Sequence, residues 1–291
     1  MKKLLILSGK GGTGKTTTAA TFIKFTGAKA IADCDVDAPN LHLVTSVRVK
    51  PDEADFIGAE KAKIDTNKCV SCGLCMDNCH FDAIVKTVST FNIKEYACEG
   101  CGVCSYLCPQ EAIQMNDDIA GSLKLYKDET IFSTAQLKMG RGNSGKLVAA
   151  VKQRLLKEAT DQELTIIDGS PGIGCPVIAS VSGMDMALIV TEPTVSGLSD
   201  LKRLIKSASI FEIKVAVCVN KWDISPKQTE TIIQFCEDNS IVFAGKIPYD
   251  KTAYAAVNNG KSFADYDCPA RDALKMVYEN TMDVLYDNNI N

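Results

Sequence analysis

Short apolar runs alternate with longer stretches of helical periodicity along most of this 291-residue chain. Strands are predicted at 3–7, 30–32, 130–135, 164–167, 186–190, 215–219 and 241–244, and helices at 15–25, 146–158, 199–209, 226–238 and 270–286. The strands at 186–190 and 215–219 are continuous and rich in β-branched residues, as strands buried on both faces are. The alternation predicts an α/β fold with a mostly parallel sheet and helices on both faces.

The alternation is interrupted between about residues 60 and 115, where the sequence repeats itself. Cys69, Cys72, Cys75 and Cys79 recur 29 positions later as Cys98, Cys101, Cys104 and Cys108. The segments that follow match as well, Asp82-Ala83-Ile84 against Glu111-Ala112-Ile113. Two duplicated halves inside an α/β pattern predict a small inserted α+β domain at 60–115. It separates a first part of the larger domain, 1–59, from a second part, 116–291.

Charge and hydropathy limit the class of protein. Lys and Arg number 32 against 36 Asp and Glu, a net charge of -4, which argues against a bulk nucleic-acid binder. The apolar run at 4–7 is too short for a signal peptide, and no stretch approaches the ~20 apolar residues of a membrane span. The acidic, polar segment 283–291 is unlike a basic amphipathic membrane helix. We therefore expect a cytoplasmic protein with no nucleic-acid partner and no stable membrane anchor.

The 13 cysteines are the unusual feature of the composition. Clustered cysteines in a reducing compartment hold metal or carry out redox chemistry. The run C-x₂-C-x₂-C-x₃-C, present twice, is the bacterial ferredoxin spacing for two [4Fe–4S] clusters, in which the fourth cysteine of each run ligates the other cluster. One cluster is therefore expected on Cys69, Cys72, Cys75 and Cys108, and the other on Cys98, Cys101, Cys104 and Cys79. His80 follows the fourth cysteine of the first run, where the pattern has proline.

A phosphate-binding loop is predicted between the first strand and the first helix. Residues 9–16 fit the pattern G-x-x-x-x-G-K-[ST] in the strand–helix context that the motif requires. Its backbone N–H groups and the helix N-terminus favour phosphate, while Lys15 is expected to reach the β- and γ-phosphates and Thr16 to ligate Mg²⁺. The nucleotide-binding residues predicted here are Gly9, Lys10, Gly11, Gly12, Thr13, Gly14, Lys15, Thr16 and Thr17.

The additional lysine of this loop, Lys10, makes it resemble the deviant Walker A motif of the MinD/ParA/Mrp ATPases and the nitrogenase iron protein. The resemblance implies that Lys10 reaches across a dimer interface to the partner's nucleotide. Asp33-Cys34-Asp35-Val36-Asp37 resembles switch I of that family, which implies that Asp35 orients the attacking water. The catalytic residues expected from the resemblance are Lys10, Lys15 and Asp35. Asp33 and Asp37 remain open between the strand end, the metal shell and a solvated turn.

Three later segments resemble other parts of the same family. Switch II of the family resembles the segment Asp168-Gly169-Ser170-Pro171-Gly172, and Pro171 belongs to this motif. The resemblance implies that Asp168 holds Mg²⁺ together with Thr16 and Asp35. It also implies that Gly172 senses the γ-phosphate. Asn220, in Asn-Lys-Trp-Asp, and the segment Pro248, Tyr249, Asp250 resemble base-contacting segments. N-K-x-D alone would indicate GTP, but relatives with the two-lysine loop use ATP.

Five cysteines lie outside the two runs. Cys34, Cys218, Cys236 and Cys268 are predicted to be small core residues. Cys175 lies seven positions after Asp168, the offset of a cluster ligand in the nitrogenase iron protein, although the loop at 138–146 has no cysteine to accompany it.

The whole chain resembles MinD-superfamily ATPases with an inserted ferredoxin domain. The resemblance implies ATP or ADP, Mg²⁺ and two [4Fe–4S] clusters as cofactors, and a dimer formed with a second copy or a paralogue. One hypothesis is a Mg²⁺-dependent ATPase whose nucleotide state gates electron transfer to a partner redox protein. The alternatives are an iron–sulfur assembly or carrier factor with an Fe–S partner, a ParA/MinD-like positioning factor, or a module in which ATP only drives dimerisation.

Overall fold

A computed structural model describes residues 1–45, 47, 49–88 and 90–287 of the chain. The last four residues of the tail segment 283–291 lie outside the described residues. The strands are β1 (Lys2–Leu7), β2 (Ala30–Asp33), β3 (Asp52–Ile57), β4 (Lys61–Ile64), β5 (Ile84–Lys86), β6 (Phe91–Ile93), β7 (Ile113–Asn116), β8 (Ile119–Lys127), β9 (Ile131–Leu137), β10 (Leu164–Asp168), β11 (Met186–Thr191), β12 (Lys214–Asn220) and β13 (Val242–Ile247). The helices are α1 (Lys15–Thr26), α2 (Leu74–Asp77), α3 (Val103–Leu107), α4 (Ser144–Glu158), α5 (Cys175–Val181), α6 (Val195–Ser209), α7 (Pro226–Asp238), α8 (Thr252–Asn258) and α9 (Pro269–Tyr286).

In the described part of the chain, nine strands form one sheet in the order β13-β12-β11-β1-β10-β2-β9-β8-β3. β1 pairs in parallel with β10 and β11, β2 with β10 and β9, and β12 with β11 and β13. The predicted α/β fold with a mostly parallel sheet is confirmed. β11 is buried along its whole length, and burial on both faces explains why such strands are continuous apolar runs.

One apolar core lies between the sheet and the helices α1 and α9. Leu4 and Ile6 alternate along β1 and share this core with Phe22 of α1 and Leu274 of α9. The Phe22 ring meets the Tyr278 ring edge to face, with centroids 5.4 Å apart, which is a favoured geometry for buried aromatic pairs. This packing fixes the start of α1 relative to the sheet, and so positions the loop between them.

The chain divides into two compact units. The sheet unit comprises residues 1–53, 123–136 and 145–291, and the cysteine unit comprises 54–122 and 137–144. The predicted insert, 60–115, lies inside the cysteine unit, which extends beyond it in both directions and includes the separate segment 137–144.

The backbone of the cysteine unit follows the 29-residue repeat. β4 of the first half pairs antiparallel with β7 of the second, and β5 of the first half pairs antiparallel with β6 of the second. Gly73 and Gly102, which are equivalent in the repeat, both have left-handed φ angles, of 87° and 77°, and precede the short helices α2 and α3. The two halves therefore exchange strands, so that each sheet contains one strand from each half.

Candidate functional site

The carboxyl ends of parallel strands meet at one edge of a sheet, where ligands of such folds bind. At this edge β1 leads into the loop 8–14. Asp168 of β10 lies beside Asp33 of β2, because the two residues are partners in the pairing of these strands. Gly12 and Gly14 take left-handed φ angles of 81° and 91°, which glycine adopts without steric cost. The predicted phosphate loop therefore has the strand–loop–helix form that the motif requires.

Lys15, Thr16 and Asp168 lie in direct contact at this edge. Lys15 Nζ donates to Asp168 Oδ1 over 2.5 Å, and the Thr16 hydroxyl donates to Asp168 Oδ2 over 2.6 Å. The Lys15 and Asp168 side chains are only 6% and 0% exposed. The sequence places these residues more than 150 positions apart, and the parallel pairing of β1 with β10 brings them together.

Asp33 orders the switch I segment. Its carboxylate accepts hydrogen bonds from the backbone N–H groups of Asp35, Asn40 and Leu41, over 3.0, 2.8 and 2.9 Å. Asp33 is fully buried whereas Asp37 is exposed. Asp33 therefore holds the backbone that follows the strand end, whereas Asp37 lies in an exposed bend.

The pocket is rich in negative charge. Burial, and then the neighbouring Asp168, raise the pKa of Asp33 to about 7. Burial also raises the pKa of Asp35, against the opposing effect of Lys15. Burial alone would lower the pKa of Lys15, but the carboxylate of Asp168, with those of Asp33 and Asp35, raises it overall. Carboxylate and hydroxyl oxygens are the ligands that Mg²⁺ takes in proteins, so this donor set fits that ion.

Lys10 lies apart from this cluster. Its side chain is 52% exposed, and its Nζ lies 3.8 Å from Asp200 Oδ2 on α6. Gly9 packs so closely on Asp200 that a Cβ at position 9 would lie 2.3 Å from the aspartate Cβ. Lys10 therefore lies at the surface of the loop, while Lys15 lies inside it.

The switch II segment is tied to both neighbouring strands. The Gly169 N–H donates to Ile6 O over 2.9 Å, and the Gly172 N–H donates to Ser8 O over 3.0 Å. The Ser170 hydroxyl donates to Cys34 O. Gly172 has a φ of 98°, and Pro171 precedes it. Switch II therefore contacts the phosphate loop through backbone groups.

A cavity of about 190 Å³ lies beside the phosphate loop and collects the residues predicted to contact the base. Its walls include Gly12, Gly14, Thr17, Asn220, Pro248, Tyr249 and Asp250. Phe263 and Leu274 add an apolar wall that the sequence did not reveal, since no motif marks them. An apolar cavity with a few polar groups at its mouth is typical of a small-molecule site.

Two aspartates near this cavity hold its backbone. Asp223, the last residue of the N-K-x-D segment, accepts the Tyr249 N–H over 2.7 Å. Asp250 accepts the N–H groups of Thr252 and Ala270, over 2.9 and 3.3 Å. Although burial opposes it, the hydrogen bonds from Thr252 and Ala270 lower the pKa of Asp250. Both carboxylates thus position the loop around Tyr249.

The cysteine unit contains two small cavities, each lined by four cysteines. Cys69, Cys72, Cys75 and Cys108 line one; Cys79, Cys98, Cys101 and Cys104 line the other. Each cavity thus takes three cysteines from one run and the fourth from the other run. The remaining lining is mainly apolar, for example Phe91 in the first and Met115 in the second.

Within 1–45, 47, 49–88 and 90–287, no three His, Cys, Asp or Glu side chains come close enough together to hold a single metal ion. A zinc site needs its four ligands around one ion, whereas in a polynuclear cluster each thiolate binds a different iron. The Ala112 N–H also donates to Cys108 Sγ over 3.3 Å, the kind of hydrogen bond that tunes cluster potentials. The residues present therefore fit [4Fe–4S] clusters.

The other five cysteines lie in the sheet unit. Cys34, Cys218, Cys236 and Cys268 are buried, which confirms their prediction as core residues. Cys175 is exposed at the start of α5.

The chain is similar to nucleotide-binding proteins over most of its length. The family model described as "CobQ/CobB/MinD/ParA nucleotide binding domain" matches residues 4–263. The uncharacterized protein MJ0578 of Methanocaldococcus jannaschii is 32% identical over 286 residues, 95% of each chain. MJ0579 of the same organism is 30% identical over 279 residues, 92% of this chain and 93% of that protein. The iron-sulfur cluster carrier protein of Pyrococcus abyssi is 25% identical over 304 residues, 97% of this chain and 86% of the carrier.

Two solved structures share the fold. The cell division ATPase MinD of Pyrococcus furiosus aligns with a TM-score of 0.57 and 17% identity, over 97% of this chain and 98% of that one. The septum site-determining protein MinD of Pyrococcus horikoshii, complexed with Mg-ADP, aligns with a TM-score of 0.54 and 18% identity, over 96% and 94%. Among the described residues, none of the helices combines the length and apolar character that a membrane crossing needs.

Proposed function

Because the chain belongs to the CobQ/CobB/MinD/ParA nucleotide-binding family, we propose that it is a Mg²⁺-dependent ATPase that holds two [4Fe–4S] clusters and couples its ATP cycle, in a dimer, to electron transfer to a redox partner. ATP hydrolysis is the activity of the family. The clusters and the coupling are the further steps, and the observation that supports them is the pair of cavities with four cysteines each.

The nucleotide site supplies groups for hydrolysis. Thr16, Asp35 and Asp168 would hold Mg²⁺, which neutralises charge on the transferring phosphate when it is bound. Lys15 is paired with Asp168 over 2.5 Å and would exchange that partner for the β- and γ-phosphates. The backbone N–H of Asp35 donates to the Asp33 carboxylate over 3.0 Å, which holds the segment from which the Asp35 carboxylate would orient the attacking water.

The two-lysine loop, which resembles that of relatives that use ATP, favours ATP over GTP as the nucleotide. Asp223, the aspartate of N-K-x-D, accepts the Tyr249 N–H over 2.7 Å, which takes one of its acceptor sites and ties it to the Pro248–Asp250 loop. Asn220 and the Pro248–Asp250 loop would enclose adenine.

The cysteine unit would carry electrons one at a time through its clusters. Cys72 and Cys101, the second cysteines of the two runs, are exposed, so each set of four includes a cysteine at the surface. A bound cluster would therefore have an edge open to a partner. In the chain, most of the cysteine unit, 54–122, is inserted between Asp35 of switch I and the strand β9, so a change at switch I would act on the segment that leads into the insert.

Dimer formation is supported by two features. Lys10 is exposed on the loop, as a residue that reaches a partner's nucleotide must be. MJ0578 and MJ0579, both from one organism, resemble this chain along nearly their whole length. Paralogues of the same architecture favour either a homodimer or a pair of paralogous chains.

The iron content of the anaerobically purified chain tests the clusters. We expect about eight irons and eight sulfides per chain, as two [4Fe–4S] clusters require, and about half of that in Cys72→Ser and in Cys101→Ser. Cys175→Ser is the matched control, because it is also an exposed cysteine but lies outside both cavities. Bound zinc in place of iron, or equal iron in all four proteins, would refute the proposal.

The hydrolytic roles need a separate test. Lys10→Ala and Asp35→Ala should each lower ATP hydrolysis while ATP binding, followed by calorimetry, largely survives. Hydrolysis that persists in both variants would contradict the assignment of these residues.

A second candidate function is an iron–sulfur carrier, which the similarity to the Pyrococcus abyssi carrier protein favours. A carrier should lose cluster iron to an apo-ferredoxin within minutes in the presence of ATP. An electron-transfer protein should keep about eight irons per chain through the same incubation, so the iron that remains on the chain separates the two functions.

A further inference from the structure

The segment 137–144 joins β9 to α4 and is called the connecting loop below. It belongs to the cysteine unit, although the chain on both sides of it belongs to the sheet unit. The Lys138 N–H donates to Ala120 O over 2.8 Å, and the Arg141 N–H donates to Lys138 O over 3.1 Å. The connecting loop is therefore hydrogen-bonded into the cysteine unit.

Arg141 is the anchor of the connecting loop. Its side chain is only 7% exposed, and its Nε lies 2.9 Å from Asp118 Oδ2. One terminal nitrogen pairs with the Glu95 carboxylate, and the other donates to Glu95 O over 3.5 Å. The guanidinium also lies over the Tyr96 ring, 5.2 Å from its centroid. A planar guanidinium satisfies carboxylate, carbonyl and ring together, which a lysine would not do.

Glu95 and Tyr96 form the middle of a turn that presents Cys98. The N–H groups of Ala97 and Cys98 both donate to Lys94 O, over 3.0 and 3.1 Å. Cys98 is the first cysteine of the second run and lines one of the two cysteine cavities. Arg141 thus holds the turn that leads directly into that cavity.

The repeat supplies an internal comparison. In the first half, 29 residues earlier, the same turn is formed at 65–69, where Cys69 N–H donates to Asp65 O over 3.1 Å. Thr66 and Asn67 occupy the positions of Glu95 and Tyr96 there. Neither residue offers a carboxylate or an aromatic ring to an arginine. The two halves therefore differ at Glu95 and Tyr96, two of the three side chains that Arg141 contacts.

The other end of the connecting loop leads to switch II. Gly145 lies in the first turn of α4, four positions after Arg141, and packs on Cys175 at the start of α5. A Cβ at Gly145 would lie 3.2 Å from Cys175 O. Cys175 follows Gly172, whose N–H is bonded to Ser8 O beside the phosphate loop. A movement of switch II would therefore press on the start of α4.

We propose that Arg141 is a positioning residue that passes the nucleotide state of switch II to the turn at 94–98, and so to the cavity of Cys79, Cys98, Cys101 and Cys104 alone. Among the described residues, no such arginine contacts the equivalent turn at 65–69, which leads to the cavity of Cys69, Cys72, Cys75 and Cys108. The movement of the turn does not depend on the proposed function; its consequence, that one of the two clusters responds to ATP, rests on that function.

Hydrogen–deuterium exchange of the full-length protein, without nucleotide and with Mg·AMPPNP, tests the coupling. Protection of the peptide covering 9–17 reports nucleotide binding. We expect a nucleotide-dependent change in the peptide covering 94–98 and none in its repeat equivalent, 65–69. An equal response of the two turns, or no response at 94–98, would overturn the proposal.

Three variants separate coupling from mere structural support. Arg141→Gln, and the double variant Glu95→Thr with Tyr96→Asn, which gives the second turn the residues of the first, should each lose the response at 94–98 while 9–17 stays protected. Arg154→Gln is the control, because it removes an arginine of α4 that pairs with Asp52 over 2.7 Å instead, and it should keep the response. A response that survives in both coupling variants would overturn the proposal.

Potentiometric EPR of the holoprotein provides an independent readout. Wild type should show a nucleotide-dependent shift for one cluster, which Cys101→Ser identifies by removing it, and Arg141→Gln should abolish the shift. If the turn at 94–98 responds but electron transfer rates do not depend on nucleotide, the proposed function fails while the role of Arg141 stands. If electron transfer depends on nucleotide to the same extent in wild type and in Arg141→Gln, the role of Arg141 is refuted while the proposed function stands.

Discussion

Removing either partner of the Lys15–Asp168 ion pair should lower the free energy of unfolding of the sheet unit. The sum of the losses in the two single variants should exceed the loss in the double variant. The two atoms are 2.5 Å apart, and both side chains are almost completely buried. A buried charge that loses its partner keeps its desolvation penalty, and breaking such pairs typically costs about 3–5 kcal/mol. The two single variants are not equivalent, however, because other charges remain around each residue.

The surroundings predict which variant is worse. Lys15→Met leaves the carboxylates of Asp33, Asp35 and Asp168 without their buried cation, so we expect a loss of about 3–5 kcal/mol in the free energy of unfolding. Asp168→Asn leaves Lys15 facing Asp33 and Asp35, both of which favour its charged form. That variant should therefore lose less, about 2–3 kcal/mol. The double variant removes both charges, and the coupling should be about 2 kcal/mol or more.

Urea unfolding of nucleotide-free protein measures this cycle. Trp222 is the single tryptophan and lies in the sheet unit, so its fluorescence reports the unfolding of that unit. Equal denaturant slopes for the four proteins would support a common unfolding reaction. Single-variant losses that add to within ~0.5 kcal/mol in the double variant would refute the reasoning.

Two further predictions concern a buried lysine and a strained glycine. Burial lowers the pKa of Lys152 from 10.5 to about 8, so between pH 8 and pH 10.5 the unfolded chain binds more protons than the folded one. The free energy of unfolding of wild type should therefore rise by about 3 kcal/mol across this pH range relative to that of Lys152→Met. Urea unfolding at a series of pH values measures this difference. Gly14→Ala should weaken ATP binding at least about tenfold in calorimetry, because the new Cβ would lie 2.3 Å from Asn220 Nδ2 at a φ of 91°.

Each of these predictions has a control. The Lys152 amine donates to the carbonyls of Ala179, Ser180 and Ser182 at the end of α5, so Lys152→Met should also be destabilised at pH 7; a stability difference that does not change with pH would contradict the titration. Gly27→Ala has the same left-handed penalty, with a φ of 63°, but no atom within 4 Å of its Cβ. It should lose stability without losing ATP affinity, and equal affinity of both glycine variants would contradict the steric argument.

The sheet was predictable where burial is two-sided. β1, β10 and β11 are continuous apolar runs, and their predicted bounds agree with the structure to within one residue at each end. β3 escaped prediction because five of its six residues are exposed, so it carries no apolar pattern. β8 contains small and polar residues beside its buried ones, and it directly follows the cysteine repeat, where the alternation of strands and helices is interrupted.

The helices show the same dependence on local signals. α9 was predicted nearly to its ends, since its apolar positions recur at helical spacing and Pro269 marks its first turn. α5 was missed because it is short and follows Gly172 and Gly174, which indicate a loop. Lys152 holds its carboxyl end from another helix, a contact that local sequence does not encode.

The residues of the candidate site also differ in whether a local sequence signal marks them. The phosphate loop and the cysteine runs are local motifs, so their residues are identifiable from the amino-acid sequence alone. Arg141 is not, because its partners Glu95, Tyr96 and Asp118 are fixed by tertiary packing and carry no motif of their own. The roles of Asp223 and Asp250 as backbone acceptors also emerge only from the placement of Tyr249.

Coupling of the nucleotide state to electron transfer is tested by the rate at which the reduced holoprotein passes electrons to a one-electron viologen dye. The rate should be measured by stopped flow with Mg·AMPPNP and with Mg·ADP bound, together with the midpoint potentials of both clusters. We expect different rates in the two nucleotide states, and a potential shift confined to the cluster on Cys79, Cys98, Cys101 and Cys104. Identical rates and identical potentials in both states would contradict this coupling.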